Sequence, residues 1–173
     1  MLQHPREARL AICTAWLVRL ALPNSELHRG VRFGDHPSVL EAASTPGAAL
    51  LFPGDCAVPV ETLAAHPPPM LVILDGTWHQ AEKMLQDNPI LAGLRQVSVS
   101  PDRPGGYGDL RREPAPHCLS TIEAVACALG AIEGEPSRFE PMRRAFRLMV
   151  QQQLACARGE RRSPRHRHRR SAG

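Results

Sequence analysis

With 173 residues and 43% hydrophobic content, the chain suits one domain with a real core. No stretch approaches the roughly 20 apolar residues of a membrane span, and Met1 is not followed by a secretory leader, so a cytosolic protein without a membrane partner is expected. The net charge of +4 belongs to the tail: from Arg158 onward seven arginines stand against Glu160, which leaves the body near −2.

In chain order, residues 4–22 read as a helix, with Pro5 at a first helical position, Glu7 in the first turn, and Leu10, Cys13, Leu17 and Leu20 at helical spacing. Pro23, Asn24 and Ser25 end it. Residues 48–52 form a short apolar run stopped by Pro53 and Gly54, which fits a buried strand and a tight turn. A proline-rich loop over 64–69 leads to MLVIL, residues 70–74, the clearest strand: apolar on both faces, like a strand inside a covered parallel sheet.

A helix over 78–86 follows, and Thr77 with Gln80 three residues on makes a capping-box pattern. Asn88 and Pro89 close that helix. Residues 96–100 alternate as a strand, and PDRPGGYG over 101–108 is a loop. Ser120 with Glu123 predicts a second capping box and a helix through Ala131. A last helix over 141–157 carries Met142, Phe146, Met149, Val150 and Leu154 on its apolar side, with Arg143, Arg144 and Arg147 facing away. Beyond it the Arg-rich segment 158–173 has nothing to bury and is expected to be disordered, free to meet phosphate backbones non-specifically. Alternating strands and helices predict an α/β domain, a mostly parallel sheet flanked by helices, with its ligand site beyond the strand C-termini.

Cys13, Cys56, Cys118, Cys127 and Cys156 are odd in number and make no CxxC pair, so reduced thiols are expected and their spacing predicts no metal site. The chemistry-bearing segment is LDGTWHQAEKM, residues 74–84. A buried strand ends in Asp75, Gly76 permits close backbone approach, Thr77 caps a helix and Trp78 offers a flat stacking face in its first turn. From spacing alone the plainer alternative stays open: Asp75 as turn former, Thr77 as cap, Trp78 as core. A second segment, LRREPAPHCLSTIEAVACAL over 110–129, places Arg111 and Arg112 before a loop and a helix opened by Ser120 and Thr121. Adjacent arginines can grip a phosphate bidentately, although from spacing alone a solvated pair and an ordinary helix cap are the plainer reading.

Taken together, five motifs carry a resemblance. HPREAR (4–9), LFPG (51–54), DGTWHQAEKM (75–84), LRREP (110–114) and LSTIEAVA (119–126) follow in the order and spacing of the DTW-domain family, named for its Asp-x-Thr-Trp motif, here Asp75, Thr77 and Trp78. The resemblance implies a transferase that moves the 3-amino-3-carboxypropyl group of S-adenosylmethionine to N3 of a tRNA uridine and releases methylthioadenosine. It also implies a relation to SPOUT-type enzymes, whose knotted loops bind that donor in a bent pose.

On that basis Asp75, Thr77 and Trp78 are the expected catalytic group, with Asp75 as general base or proton-orienting group. Leu51, Pro53, Gly54, Leu74, Gly76, Leu119, Ser120 and Thr121 are the expected donor pocket. Arg6, Arg9, Arg111 and Arg112 are the expected RNA contacts. Family members commonly begin with a cysteine-rich metal-binding segment, whereas this sequence starts almost on the HPRE-like motif. The expectation is thus a transferase domain over 1–157 lacking that segment, with a tail over 158–173. Where the family usually places a tyrosine before its arginine, Gly108 stands near the slot with Tyr107 beside it. Two rival readings are a methyltransferase using the same donor and a non-enzymatic RNA-binding remnant.

Overall fold

The computed structural model describes residues 1–54, 56–100, 105–110 and 118–159. Its six strands are β1 (Leu2–Gln3), β2 (His28–Arg29), β3 (Ala49–Leu51), β4 (Val58–Pro59), β5 (Leu71–Asp75) and β6 (Arg95–Ser98). They form one sheet in the order β2-β1-β5-β3-β6-β4, and every pairing is parallel. The expected α/β architecture is therefore present, with a sheet that is parallel throughout.

The helices are α1 (Thr14–Ala21), α2 (Pro37–Ser44), α3 (Trp78–Gln86), α4 (Pro89–Ala92), α5 (Thr121–Glu133) and α6 (Glu140–Ala157). They divide between the two sheet faces because side chains alternate along each strand. Ala49, Leu51, Ile73 and Val97 pack with α1, α5 and α6 through Ala15, Val18, Ile122, Val125, Met142 and Phe146. On the other face Leu50, Val72 and Leu74 meet α2, α3 and α4 through Val39, Ala42, Ala81, Met84 and Leu91. β5 is buried from both sides, as its unbroken apolar run predicts.

Two expectations are corrected. Residues 4–22 are not one helix: Glu7–Arg9 make a 3-10 turn and α1 begins at Thr14. The buried side of α1 is Thr14, Ala15 and Val18, while Leu10 and Leu20 are exposed. Small Ala15 and Val18 let α1 lie close against α5, whereas a stripe of larger leucines at the same spacing satisfies periodicity but holds the helices apart. On α6, Met142, Phe146 and Val150 are buried as expected. Arg143, however, turns partly inward, donating to Cys127 Sγ at 3.1 Å and approaching Glu140 at 3.7 Å. Among the described residues, no helix is long and apolar enough to cross a membrane.

Candidate active site

β5 delivers Asp75 to the carboxyl edge of the sheet, where the side chain is buried. The next three residues turn immediately into α3. Thr77 Oγ1 accepts from the Gln80 N–H at 3.2 Å, and Gln80 Oε1 accepts from the Thr77 N–H at 2.8 Å, completing the expected capping box. Gly76 lies so near Gln80 that an added Cβ would come within 3.0 Å of that side chain's Cβ. A side chain at position 76 would press on the cap itself.

The second helix start closes on the first. Ser120 caps α5: its N–H and Oγ–H donate to Glu123 Oε2 at 3.0 and 2.6 Å, and its Oγ accepts from the Glu123 N–H at 3.4 Å. The other oxygen, Oε1, accepts from the Gly106 N–H at 3.0 Å and so ties the stretch before α5 to the cap. An added Cβ at Gly106 would meet that oxygen at 2.8 Å and the Phe146 ring at 2.9 Å, so the backbone approach depends on glycine. Thr121 then donates through Oγ1 to Asp75 Oδ1 at 2.6 Å, joining helix starts that lie far apart in sequence.

Asp75 has a further donor that the motifs did not indicate. Gln3, fully buried on β1, gives an Nε2–H to Asp75 Oδ2 at 2.7 Å, and His4 N–H donates to the Asp75 carbonyl at 2.8 Å. Both carboxylate oxygens therefore accept a hydrogen bond, and each retains a further lone pair.

Two cavities share a wall here. One, about 170 Å³, is lined mainly by apolar groups including Leu51, Phe52, Pro53, Leu74, Trp78 and Val99. The other, about 190 Å³, is lined by polar groups including Glu7, Thr14, Asp75, Thr77, Tyr107 and Ser120. Gly76, Trp78, Leu119 and Thr121 line both. Neither volume alone reaches the roughly 300 Å³ at the lower end of small-molecule sites, whereas the pair together does. Trp78 leans on Phe52, the ring centroids 6.4 Å apart and tilted by 54°.

Of the eleven residues expected for catalysis and donor binding, ten line one or both cavities. Gly54 does not; it turns the chain toward β4, its carbonyl accepting from the Ala57 N–H at 2.9 Å. Arg6 and Arg9 are exposed on the turn that carries buried Glu7, which lines the polar cavity, but neither arginine lines a cavity. Arg111 and Arg112 lie outside the described residues, as does most of the tail. Sequence reasoning missed Gln3, Glu7 as a cavity residue, Cys13, Thr14 and the place of Tyr107. Tyr107 stands edge-on to Phe146 at 4.9 Å, with its ring buried and facing the polar cavity. For Glu7 the available signal was its place within HPREAR; for Gln3 there was only adjacency to that motif.

A larger trough of about 1100 Å³ runs between α1, α2, α5 and α6 and contains none of the expected residues. It borders Met70–Ile73, the starting side of β5, whereas ligands of open parallel sheets sit beyond the carboxyl ends. The Met1 α-amine on its border is pushed down to about 6, chiefly by loss of hydration on burial.

A family model described as the DTW domain matches residues 1–154. The chain is 31% identical over 160 residues to a Drosophila melanogaster protein named tRNA-uridine aminocarboxypropyltransferase 2, covering 89% of this chain and 63% of that one. A Macaca fascicularis protein of the same name is 29% identical over 140 residues, covering 77% and 47%. An Arabidopsis thaliana protein named tRNA-uridine aminocarboxypropyltransferase A is 27% identical over 169 residues, covering 81% and 64%. The chain thus spans between about half and two thirds of the length of these curated relatives. No solved structure matches it.

Proposed function

Because this chain belongs to the DTW-domain family, we propose that it transfers the 3-amino-3-carboxypropyl group of S-adenosylmethionine to N3 of a tRNA uridine. The observation that carries the reading is the paired cavity: an apolar half and a polar half meet at Gly76, Trp78, Leu119 and Thr121, with Asp75 in the polar half and hydrogen-bonded to Thr121. A donor with a flat nucleoside, a sulfonium and a charged amino-acid arm needs these two environments side by side. Leu51, Pro53, Leu74 and Trp78 take the nucleoside and the methyl group. The starts of α3 and α5 present first-turn N–H groups and positive dipole ends to the arm's carboxylate.

The transfer balances without a metal or redox partner. Uridine N3 gives up its proton and bonds to the arm's terminal methylene; the carbon–sulfur bond breaks, and its electron pair leaves on sulfur as neutral methylthioadenosine. Asp75, with a lone pair on each oxygen, takes or orients the N3 proton. Thr77 holds the α3 start in place, and Trp78 separates the two halves. Arg6 and Arg9 on the exposed turn around Glu7, with Arg111, Arg112 and the tail, meet RNA phosphates. We propose with this a SPOUT-like knotted donor site, supported by three segments (51–53, 74–78 and 119–121) that line the paired cavities. We further propose a transferase domain over 1–157, an Arg-rich tail over 158–173 and a cytoplasmic location.

Mass analysis of nucleosides from tRNA incubated with the protein and S-adenosylmethionine tests the reading. Uridine enlarged by the aminocarboxypropyl group, with methylthioadenosine released, is the expected product. Methyluridine with S-adenosylhomocysteine instead assigns the methyltransferase chemistry, and an unmodified tRNA that still binds the protein assigns the RNA-binding remnant.

A further inference from the structure

We infer that Gln3 is a positioning residue for the proposed transfer: held by Arg29, it fixes the plane of the Asp75 carboxylate and directs any proton that carboxylate takes to Oδ1. The inference rests on the aminocarboxypropyl reading above. The Gln3 side chain is fully buried, so the partners of its amide are the protein groups around it. Its Oε1 accepts from Arg29 Nε at 3.2 Å. A guanidinium only donates, so this contact settles which way the amide points, and a flipped amide would set N–H against N–H. The NH₂ end therefore faces Asp75 Oδ2 at 2.7 Å and Cys13 Sγ at 3.0 Å.

The register makes this contact obligatory. Gln3 pairs directly with Asp75 across the β1–β5 ladder and Arg29 pairs with Gln3 across β1–β2, so the three side chains are neighbours on one row of the sheet. Oδ2 thus faces a group that can only donate, and a proton on Oδ2 would make that oxygen a hydroxyl, a poorer acceptor for the Gln3 N–H. Oδ1 faces the Thr121 hydroxyl, which donates at 2.6 Å but can rotate to accept instead. Thr121 lines both cavities, so Oδ1 is the oxygen next to the place where donor and uridine meet. The row Arg29–Gln3–Asp75, with Thr121 of α5 at its end, selects one oxygen of a symmetric carboxylate for the proton.

The test uses the full chain with S-adenosylmethionine and tRNA, comparing wild type, Gln3→Met, Arg29→Met and the double variant. Methionine keeps the length of the side chain and removes the amide. Gln3→Met should lower kcat roughly 10- to 100-fold, the scale of a misplaced reacting group, with KM for the donor within about twofold. Arg29 is exposed, so Arg29→Met spares the core and keeps the test open if Gln3→Met does not fold. It should lower kcat roughly threefold or more, the rate equivalent of the smaller couplings between touching residues. The double variant should be no slower than Gln3→Met alone, because Arg29 acts through Gln3. Additive losses, or an Arg29→Met enzyme at the wild-type rate, overturn the inference. If wild type itself releases no methylthioadenosine, the reaction reading fails, and a ligand-free crystal structure of Gln3→Met decides the positioning separately. A second Asp75 rotamer supports it, and an unmoved carboxylate overturns it.

Discussion

Replacing Asp75 with asparagine separates the chemistry of that position from its structural work. Asn is nearly the same size, and the surroundings dictate how it sits. Gln3 Nε2 can only donate, so the Asn oxygen must face it, in place of the Oδ2 contact at 2.7 Å. The Asn NH₂ then faces Thr121 Oγ1, which reverses from donor to acceptor at the 2.6 Å contact. Both contacts survive as neutral hydrogen bonds rather than bonds to a charge. The difference is about 1 kcal/mol each, roughly 2 kcal/mol in all. For a chain of this size that lowers Tm by roughly 4–8 °C. Turnover should fall far more, about 10²- to 10⁴-fold, since a general base is lost. Single-turnover release of methylthioadenosine, read beside a thermal melt and donor binding, measures all three quantities. A folded Asp75→Asn protein within threefold of the wild-type rate would refute the assignment of proton transfer to Asp75 and leave it a structural hub alone.

Other substitutions probe the frame. Thr77→Ala should cost about 0.5–2 kcal/mol through loss of the α3 cap, and a melt identical to wild type removes that role. Asn88→Ala should cost more, roughly 3–5 kcal/mol. The buried amide accepts from the Phe33 N–H at 2.5 Å and donates to the Val31 and Met84 carbonyls at 2.8 and 2.6 Å, so its removal orphans three backbone groups. Denaturant unfolding checks it, and a loss under 1 kcal/mol would mean that water replaces the amide. Truncation after Ala157 removes seven arginines; tRNA affinity should fall and its salt dependence flatten, by about 0.9 in slope for each duplex phosphate that the tail no longer neutralises. Equal slopes for the two proteins would leave RNA binding to the body, around Arg6 and Arg9.

What the sequence determined by itself is what short-range physics controls. The apolar run into Asp75 specifies a strand covered on both faces. The Thr77–Gln80 and Ser120–Glu123 pairs specify two helix starts, because each cap joins groups three residues apart. The motif resemblance marked ten of the cavity-lining residues. The tertiary structure decided what those local signals leave open. β1 is only two residues long and has no periodicity to read; it is a strand because β5 and β2 lie on either side of it. The face of α1 that is buried follows from how closely α5 approaches, which helical spacing does not encode. The arrangement around Asp75 depends on partners 72 and 46 residues away, Gln3 and Thr121. Such pairings arise only after the sheet has set its register, because a hydrogen bond between distant residues leaves no pattern along the chain.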